Sequence, residues 1–243
     1  MKNVVFFTGS GISKESGIQT FRDAGEGLWE NFSIEEVCTH EAILYNRNHV
    51  IDFYNMMRGQ LLTKKPNPAH LAIAELEKNP AFNVHVVTQN VDDLHEKAGS
   101  KDIIHLHGEL MKLRSSRDEE AWVSQKEIPN LFEDGYKERY EDRHPDGSLL
   151  RPFIVFFGEG VPQMNPAIEI ARQADIFVVV GTSLAVYPAA SLLVYVKENV
   201  PIYCVDPGIP ELGPFARRVT HIQEPASTGV PEVCRRILSA PSI

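Results

Sequence analysis

Residues 3–23 read NVVFFTGSGISKESGIQTFRD, an apolar run that leads directly into a turn of glycines and serines. The run Val4–Phe7 contains β-branched and aromatic residues without polar alternation, which is typical of a strand buried on both faces of a parallel sheet. Gly9, Ser10 and Gly11 allow the backbone to approach a phosphate closely, and the N-terminus of a following helix would offer free N–H groups. The stretch therefore predicts a strand, an anion-binding turn and a helix.

The same turn matches the dinucleotide fingerprint G-x-G-x-x-G only in part. Lys14 stands in place of the third glycine, and the next glycine is Gly17. There is also no second strand ending in Asp or Glu about 20 residues further on, as that fingerprint requires. These departures disfavour an ordinary hydride-transfer dehydrogenase, and a plain strand-to-helix turn stays an alternative. Arg22 could bind phosphate through two parallel hydrogen bonds or form a surface salt bridge.

Other apolar runs have the same character and alternate with helix signals. The strong runs are Val84–Val87, Ile176–Val180 and Ile202–Val205, and the weaker ones are Ile103–Leu106 and Phe153–Phe157. The helix signals are the N-cap and proline pairs Asn67-Pro68 and Asn165-Pro166, the capping box of Ser33 and Glu36, and the segments 189–199 and 230–239. Strands that alternate with helices predict an α/β fold with a Rossmann-like, doubly wound parallel sheet.

Two segments interrupt this alternation and predict a smaller lobe. Residues about 31–78 have a mostly helical pattern, and residues about 111–150 are polar and rich in charge. We therefore expect a single domain over residues 1–243. Its large Rossmann-like lobe would contain residues about 1–30, 79–110 and 151–243, and the two insertions would build the small lobe.

The composition excludes several classes of protein. With 243 residues, a net charge of −9 and 43% apolar residues, the chain has an ordinary globular composition and an acidic balance that disfavours nucleic-acid binding. Its cysteines, Cys38, Cys204 and Cys234, are too widely spaced to predict a disulfide framework or a C-x-x-C metal site. We see no signal peptide and no apolar run of about 18–20 residues, so we expect a cytoplasmic protein without a membrane span. The oligomeric state stays open.

Polar residues follow each predicted strand at the end where open α/β sheets bind ligands. After the first strand they are the turn residues described above, and after the others they are Gln89, Asn90 and Asp92; His105 and His107; Gly181, Thr182 and Ser183; and Asp206. Such amide and carboxylate groups can hold ribose hydroxyls, but they do not form a metal-ligand set. A histidine at a strand exit can act as a general base near neutral pH. Each group alone could equally be a capped turn or a surface residue, and their convergence on one edge predicts a site.

Five segments, in this order, closely resemble the sirtuins, a family of NAD-dependent protein-lysine deacylases. They are TGSGISKESGIQTFRD, TQNVDDLHEKAG, HLHGEL, RPFIVFFGEGVP and VVVGTSLAVYPAA, and they span most of the chain from residue 5 to about 208. The resemblance implies that NAD is consumed as a co-substrate and that the other substrate is an acyl-lysine protein or peptide. The implied products are lysine, nicotinamide and O-acyl-ADP-ribose.

The resemblance also implies a role for each matching residue. His107 would be the catalytic base. Gln89, Asn90 and Asp92 would hold the nicotinamide ribose and carboxamide, and Gln89 and Asn90 would belong to the catalytic set with His107. Phe21 would cover the nicotinamide and Arg22 would reach the phosphates. The remaining NAD contacts would come from Gly9, Ser10, Gly11, Ile12, Ser16, Gly17, Gly181, Thr182, Ser183 and Asp206. The FFGEG segment, with Phe157, Gly158, Glu159 and Val161, would pair with the backbone of the substrate peptide.

One departure from the family concerns metal. Most sirtuins bind a structural zinc ion through two C-x-x-C pairs in the small lobe. Here Ser115 or Ser116 stands where the first pair would begin, and no cysteine occurs between residues 39 and 203. We therefore expect no zinc in this chain.

A second departure concerns the acyl group. Desuccinylating sirtuins carry Tyr-x-x-Arg to bind an acidic acyl chain, whereas FYNMMRGQLL keeps Tyr54, places Met57 at the arginine position and puts Arg58 one residue late. One residue turns a helical side chain by about 100°, so we expect Arg58 to point elsewhere and Met57 to provide an apolar wall. Neutral acyl groups would then be preferred to succinyl or malonyl. The alternative is that Tyr54 and Met57 are ordinary core residues.

Two other functions stay open. The same pocket could serve an NAD hydrolase or an ADP-ribosyltransferase, because the altered small lobe leaves room for another acceptor. The chain could also be a non-catalytic NAD sensor. The FFGEG segment favours a peptide substrate, and the presence of His107 beside Gln89, Asn90 and Asp92 speaks against a sensor.

Overall fold

The structure is a computed structural model that describes residues 1–19, 32–118, 122–123, 138–209 and 212–239. Within them, the chain forms a six-stranded parallel sheet and a separate three-stranded antiparallel sheet. Helices flank the larger sheet. The predicted Rossmann-like α/β architecture is therefore confirmed.

The strands of the described segments are, in chain order, β1 (Lys2–Thr8), β2 (Phe82–Thr88), β3 (Ile103–His105), β4 (Gly108–Ser115), β5 (Trp122–Val123), β6 (Leu150–Ile154), β7 (Ile176–Val180), β8 (Ile202–Val205) and β9 (Val219–Ile222). The large sheet has the order β3-β2-β1-β7-β8-β9, and the small sheet has the order β5-β4-β6. The strand order of the large sheet thus reverses between β1 and β7, which is the place where sheets of this class bind ligands.

The helices of the same segments are α1 (Ile34–Val37), α2 (His40–Tyr45), α3 (Arg47–Leu61), α4 (Pro68–Glu77), α5 (Leu94–Ala98), α6 (Met164–Gln173), α7 (Leu192–Tyr195) and α8 (Ala226–Ser239). The predicted starts of α1 and α4 are confirmed. Ser33 and Glu36 form a capping box before α1, and Asn67 caps α4 with Pro68 at its first position.

Alternate residues of the central strands enter cores on opposite faces of the large sheet. Val4 and Phe6 of β1 pack in a core that includes residues of α4 and α8. Val5 and Phe7 pack in a second core with residues of α6 and α7. Because both faces of the strand are covered, the positions that enter the two cores are apolar. This is why uninterrupted apolar runs predicted the central strands, and why β7 and β8 coincide with two of those runs.

A third core, called the small-lobe core below, contains no residue of the large sheet. It joins the helices α1, α2 and α3 to β4 and β6, through residues such as Val37, Phe53, Leu110 and Ile154. Helix α4 instead contributes Ile73 to the core of the large sheet. The helical insertion expected over residues 31–78 is therefore divided between two cores.

The strand expected at Phe153–Phe157 is placed differently by the structure. Strand β6 covers Leu150–Ile154, and it pairs antiparallel with β4 in the small sheet, not with the parallel strands. The apolar run extends past the strand because Phe156 is buried in the small-lobe core. An apolar run alone does not distinguish a strand from a buried loop.

Three helix predictions were wrong at their ends. Helix α6 begins at Met164 with Gln163 as its N-cap, so Asn165 lies inside the first turn. The segment expected to be helical over 189–199 forms a 3₁₀ turn followed by α7, which ends at Tyr195. Helix α8 begins at Ala226, four residues before the predicted start, and contains Pro231, a residue that normally marks a helix boundary.

The turn after β1 does not lead into the predicted α-helix. It continues into two short 3₁₀ turns, Ser10–Ile12 and Lys14–Ser16. Phosphate contacts at this point would therefore come from the backbone of the turn itself. None of the helices in the described segments has the length and apolarity needed to cross a membrane.

Candidate active site

The parallel strands end at one level of the large sheet. Thr8 pairs with Thr88 on one side and with Val180 on the other. Thr88 pairs in turn with His105, and Val180 pairs with Val205. The five loops that follow these residues therefore lie side by side along the carboxyl edge, as the sequence predicted.

The glycine turn packs directly against the loop after β7. The Gly9 N–H donates to the Val180 carbonyl at 2.9 Å, and the Gly11 N–H donates to the Gly181 carbonyl at 2.8 Å. A Cβ on Gly11 would lie 2.6 Å from the Cα of Gly181, and a Cβ on Gly9 would lie 2.7 Å from the Cβ of Thr182. Glycine is required at both positions because the two loops approach so closely at the reversal of strand order.

Gln89 connects the glycine turn to the predicted base. Its side-chain amide donates to the hydroxyl of Thr182 at 2.9 Å, beside Gly9. The backbone carbonyl oxygen of Gln89 lies 3.0 Å from Nδ1 of His107. The imidazole at residue 107 is thus linked through Gln89 to Thr182, a residue of the β7 loop that packs beside Gly9.

The protonation of His107 follows from this geometry. A carbonyl oxygen only accepts, so Nδ1 must carry the hydrogen and Nε2 keeps its lone pair. Burial lowers the pKa of His107, and the hydrogen bond to the Gln89 carbonyl offsets this only in part. The half-buried ring is therefore neutral at pH 7 and can accept a proton at Nε2. Gly108, the next residue, is the first residue of β4 and has a φ of 86°. A Cβ on Gly108 would lie 2.0 Å from the backbone carbonyl oxygen of Phe153.

Asn90 and Asp92 meet at Ser13. The Asn90 amide donates to Oγ of Ser13 at 3.1 Å, and that hydroxyl donates to the Asp92 carboxylate at 2.9 Å. The other Asp92 oxygen accepts from the Leu94 N–H at 3.1 Å. Burial raises the pKa of Asp92. Asp92 is buried and its carboxylate accepts these two internal bonds, so it positions Ser13 and the start of α5.

The structure adds residues that the sequence reasoning missed. Ser13, His70 and His95 form a buried polar group behind Asn90, with the two imidazole rings 4.9 Å apart in an edge-on contact. Burial lowers the pKa of His70 to about 4, so this ring is neutral. The Asn67 side chain, predicted only as a helix cap, also donates to the Ile12 carbonyl at 2.7 Å. Periodicity does not reveal such residues, because their partners lie on different elements.

The remaining predicted cofactor residues have varied placements. Ile12 is fully buried in the core of the large sheet, and Ser16 accepts a hydrogen bond from Asn67. Gly17 adopts a φ of 79° at the end of the second 3₁₀ turn. Asp206 is buried after β8, where its carboxylate accepts from the Gly208 N–H.

Ser10 and Ser183 are partly exposed on the turns after β1 and β7. The predictions for Phe21 and Arg22 lie outside the described residues.

The predicted acyl-pocket residues lie on α3. Tyr54 is buried, and its hydroxyl donates to the Cys38 sulfur at 3.8 Å. Met57 is half-buried against the small-lobe core. Arg58 is fully buried, donates to the Leu110 carbonyl at 2.8 Å and faces Glu138 at 3.6 Å. Arg58 is therefore engaged with other residues of the chain.

The FFGEG segment is tied to the small lobe. The Phe157 N–H donates to the Cys38 carbonyl at 2.8 Å, and the Phe157 carbonyl accepts from the His40 N–H at 2.9 Å. The Glu159 carboxylate pairs with Arg151 at 2.7 Å and with His40 at 2.9 Å. Gly158 has a φ of 92°, and Val161 packs at the edge of the second core. The backbone of Phe157 and the side chain of Glu159 are therefore engaged within the chain.

Potential metal ligands converge at one place among the described residues. The ligand atoms of Glu96, His105 and Glu109 lie within 4.8 Å of one another. Lys112 pairs with Glu109 at 2.7 Å, and His105 pairs with Glu96 at 2.7 Å, so internal charge pairing accounts for this group. The small-lobe position where most sirtuins hold zinc offers the hydroxyl of Ser115 and no thiolate, and this donor set does not fit a structural zinc ion.

A parallel sheet of this order, with a glycine turn packed at its reversal point, places the chain among the doubly wound α/β proteins that bind a nucleotide at the carboxyl edge. The Sir2 family pattern matches residues 9–188, and the chain belongs to that family. A relative from Bacteroides thetaiotaomicron, named NAD-dependent protein deacylase, is 49% identical over 241 residues, which are 99% of this chain and 100% of that protein.

Solved structures agree in fold. A Sir2 homolog in complex with NAD is 35% identical, with a TM-score of 0.83 over 98% of this chain and 90% of that one. A Sir2 protein bound to an acetylated peptide is 31% identical, with a TM-score of 0.75 over 97% of this chain and 91% of that one.

Proposed function

We propose that this chain is an NAD-dependent protein-lysine deacylase that converts acyl-lysine, NAD and water to lysine, nicotinamide and O-acyl-ADP-ribose. The observation that carries the proposal is the position of His107. Its ring is held by the Gln89 carbonyl at 3.0 Å, and the Gln89 amide is held by Thr182 at 2.9 Å beside the glycine turn. A neutral base is thereby fixed at the same edge as a cradle that only glycines can form.

The glycine turn fits the diphosphate of NAD. Gly9 and Gly11 leave no room for a side chain toward the β7 loop, so the backbone itself forms the wall of the site. Ser10, Gly11 and Ser183 would face the diphosphate and the adenosine half, and Asn90 would hold the nicotinamide ribose. Bound NAD supplies a glycosidic bond to nicotinamide that breaks with oxocarbenium-like character.

The chain's own residues then provide positioning and one proton acceptor. The acyl-lysine carbonyl oxygen would attack the anomeric carbon from the face opposite to nicotinamide. Nε2 of His107 would remove a proton from a ribose hydroxyl, so that this oxygen bonds to the trapped amide carbon. Water would then add to the same carbon and the carbon–nitrogen bond would break, which releases lysine and leaves the acyl group on the ribose. Such chemistry depends on orientation and on a base with a pKa near or below neutral, and it requires no metal.

The test is a single reaction mixture of enzyme, NAD and an acetyl-lysine peptide, followed by mass spectrometry. We expect nicotinamide release that depends on the peptide, with O-acetyl-ADP-ribose and free lysine formed in equal amounts. Nicotinamide release without peptide would instead identify an NAD hydrolase. Binding of NAD without any turnover would identify a sensor, and either result overturns the proposal.

The acyl group that fits this chain best is neutral. Arg58 is engaged with the Leu110 carbonyl and Glu138, and the half-buried Met57 stands at the position of the arginine in the Tyr-x-x-Arg pattern. An acidic acyl chain would therefore lose its hydration without gaining a charged partner from these residues.

A panel of acetyl-, butyryl- and succinyl-lysine peptides tests this preference. We expect turnover of the two neutral peptides to exceed that of the succinyl peptide by at least about tenfold. Met57→Arg should raise the relative turnover of the succinyl peptide. Met56→Arg, the adjacent half-buried methionine of the same helix, is the matched control and should not. Fast desuccinylation by the unmodified chain would show that the preference is wrong.

A further inference from the structure

Two successive carbonyl groups of the site loop are held by two histidines. Nδ1 of His107 lies 3.0 Å from the Gln89 carbonyl oxygen, and Nδ1 of His105 lies 2.9 Å from the Asn90 carbonyl oxygen. His107 belongs to the proposed chemistry. His105 has no part in it, yet it is 9% exposed and makes an equally short contact.

The two histidines differ at their second nitrogen. Nε2 of His105 lies 2.7 Å from a carboxylate oxygen of Glu96, the third residue of α5. The carbonyl and the carboxylate are both acceptors, so each ring nitrogen of His105 must carry a hydrogen. His105 is thus an imidazolium placed between Asn90 and Glu96, whereas His107 is a neutral imidazole.

The charges around His105 agree with this assignment. Burial by itself lowers the pKa of His105, but the hydrogen bond and the charge of Glu96 outweigh it, so the pKa is raised. Burial by itself raises the pKa of Glu96, but the hydrogen bond and the charge of His105 have a larger effect, so the pKa of Glu96 is lowered.

Groups from three neighbouring segments also face His105. They are His95 on α5, Asp92 on the site loop, and Glu109 with its partner Lys112 on β4. The carboxylates of Asp92 and Glu109 favour the charged form of His105, as Glu96 does. His95 is neutral and does not disfavour that form.

We propose that His105, charged by Glu96, is a positioning residue that holds the main chain of Asn90 in the orientation the reaction needs. Asn90 is fixed at three points. Its side-chain amide donates to Ser13 at 3.1 Å, its N–H donates to the Thr88 hydroxyl at 3.0 Å, and its carbonyl accepts from His105. The inference rests on the proposed function, in which Asn90 holds the nicotinamide ribose.

The third contact has a specific consequence. Without it, the peptide unit after Asn90 could rotate, and this would displace the Asn90 amide and the neighbouring Gln89 carbonyl that orients His107. A displacement of about 1 Å at such groups can lower a rate about 100-fold while leaving ground-state binding nearly unchanged. The effect should therefore appear in kcat and only weakly in KM.

Two substitutions separate the two contacts of His105. In His105→Asn, the amide nitrogen can occupy the place of Nδ1 and donate to Asn90, but it cannot reach Glu96. In His105→Gln, the longer amide can reach Glu96 but does not replace Nδ1. We expect kcat to fall at least about tenfold in His105→Gln and less than about threefold in His105→Asn, with KM for NAD and peptide within about twofold in both.

The opposite order of kcat values would show that the contact of residue 105 with Glu96, and not its contact with Asn90, supports turnover, and it would overturn the proposal. Melting temperatures, measured for both variants, separate loss of fold from loss of positioning. The matched control is Asp102→Asn, which alters the contact of 2.6 Å between the Asp102 carboxylate and Nδ1 of His85, a residue in the middle of β2. This control should leave kcat unchanged.

Glu96→Gln gives a pH signature that a purely structural role would not produce. In the unmodified enzyme, loss of the second proton of His105 at alkaline pH leaves the Nε2 lone pair facing a carboxylate, and kcat should fall. A glutamine at 96 can donate to that lone pair, so the alkaline fall should be absent in Glu96→Gln. An identical alkaline limb in both enzymes would overturn the proposal.

Two further results keep the outcomes distinct. Ring ¹⁵N NMR should show His105 protonated at both nitrogens at pH 7.5, and a neutral ring there would overturn the proposal whether or not the chain deacylates peptides. If the unmodified chain shows no peptide-dependent turnover, the proposed function fails, and the NMR result still decides the charge state. If EDTA abolishes activity and Mn²⁺ or Zn²⁺ restores it, Glu96, His105 and Glu109 are metal ligands and the positioning role is wrong.

Discussion

His107 donates its Nδ1 hydrogen to the carbonyl oxygen of Gln89, 3.0 Å away, and this contact leaves Nε2 as the basic atom of the ring. The partner is uncharged, unlike the Glu96 carboxylate that pairs with His105. A carbonyl fixes the tautomer without raising the pKa far enough to overcome burial. The two histidines, two residues apart in the sequence, are therefore held in different protonation states by the chemistry of their partners.

Replacement of the base is the first prediction. His107→Ala should lower kcat at least about 100-fold, because general base catalysis contributes about 100- to 10,000-fold. Binding of NAD, measured by calorimetry, should change much less. His85→Ala is the control, since His85 pairs with Asp102 away from the carboxyl edge. Unchanged turnover in His107→Ala would remove this residue from the role of base.

The pH profile is the second prediction. Burial lowers the pKa of His107, so the neutral, active form persists below the ordinary histidine value of about 6.5. We expect kcat/KM to fall on the acid side only as the pH drops through this lowered pKa, and the midpoint of that limb should lie below 6.5. A midpoint above 6.5 would show that the ring is stabilised as an imidazolium and is not the base of the free enzyme.

The glycine turn gives the third prediction. A Cβ on Gly11 would lie 2.6 Å from the Cα of Gly181, a distance that forces one of the two backbones to move. Gly11→Ala should therefore raise KM for NAD at least about tenfold, with little change in KM for the peptide.

Gly59→Ala is the control for this variant. Gly59 lies in α3 with no atom within 4 Å of its added Cβ, so alanine should stabilise the helix by about 0.5–1 kcal/mol and leave KM for NAD unchanged. An equal KM for NAD in both alanine variants would show that the glycine turn does not form the nucleotide site.

Much of the fold could be predicted because the central strands are covered on both faces. Ile176–Val180 and Ile202–Val205 match β7 and β8 residue for residue, since each position contacts one of two cores. Strand β4 was missed because Gly108–Ser115 mixes buried and half-buried positions and contains Glu109, Lys112 and Arg114. Its charged side chains find partners within the fold, and a sequence pattern does not show them.

The candidate site divides in the same way. The loops after the strands could be predicted, because parallel strands must end at one edge. The inward roles of Asp92 and Glu159 could not, since a carboxylate next to a loop is compatible with either a ligand or an internal partner. Glu159 was expected to contact substrate, and its carboxylate binds Arg151 and His40. Only the folded arrangement of β6 and α2 brings these three side chains together.

The fourth prediction concerns the hydrogen bonds of Ser115 at the end of β4. Oγ of Ser115 accepts from the N–H groups of Arg117 and Asp118, both at 3.0 Å, and donates to the Asp146 carboxylate at 2.6 Å. Ser148 lies 2.8 Å from the same hydroxyl. These bonds tie the end of β4 to the segment before β6. The hydrogen bond from Ser115 is the main reason that the pKa of Asp146 lies well below its usual range.

Ser115→Ala should destabilise the folded chain by about 1–3 kcal/mol, because two N–H groups and a carboxylate lose a buried partner at once. Ser116→Ala removes the exposed neighbouring hydroxyl and should change the free energy of unfolding by less than about 0.5 kcal/mol. Because the pKa of Asp146 is lowered on folding, its contribution is present above about pH 4 and is lost as the pH falls through the lowered value. Urea denaturation at pH 7 and pH 3 measures both effects.

EDTA should leave the melting temperature of the unmodified chain unchanged, and metal analysis should find no stoichiometric zinc. A melting temperature that falls in EDTA and recovers with Zn²⁺ would show instead that the small lobe is built around an ion.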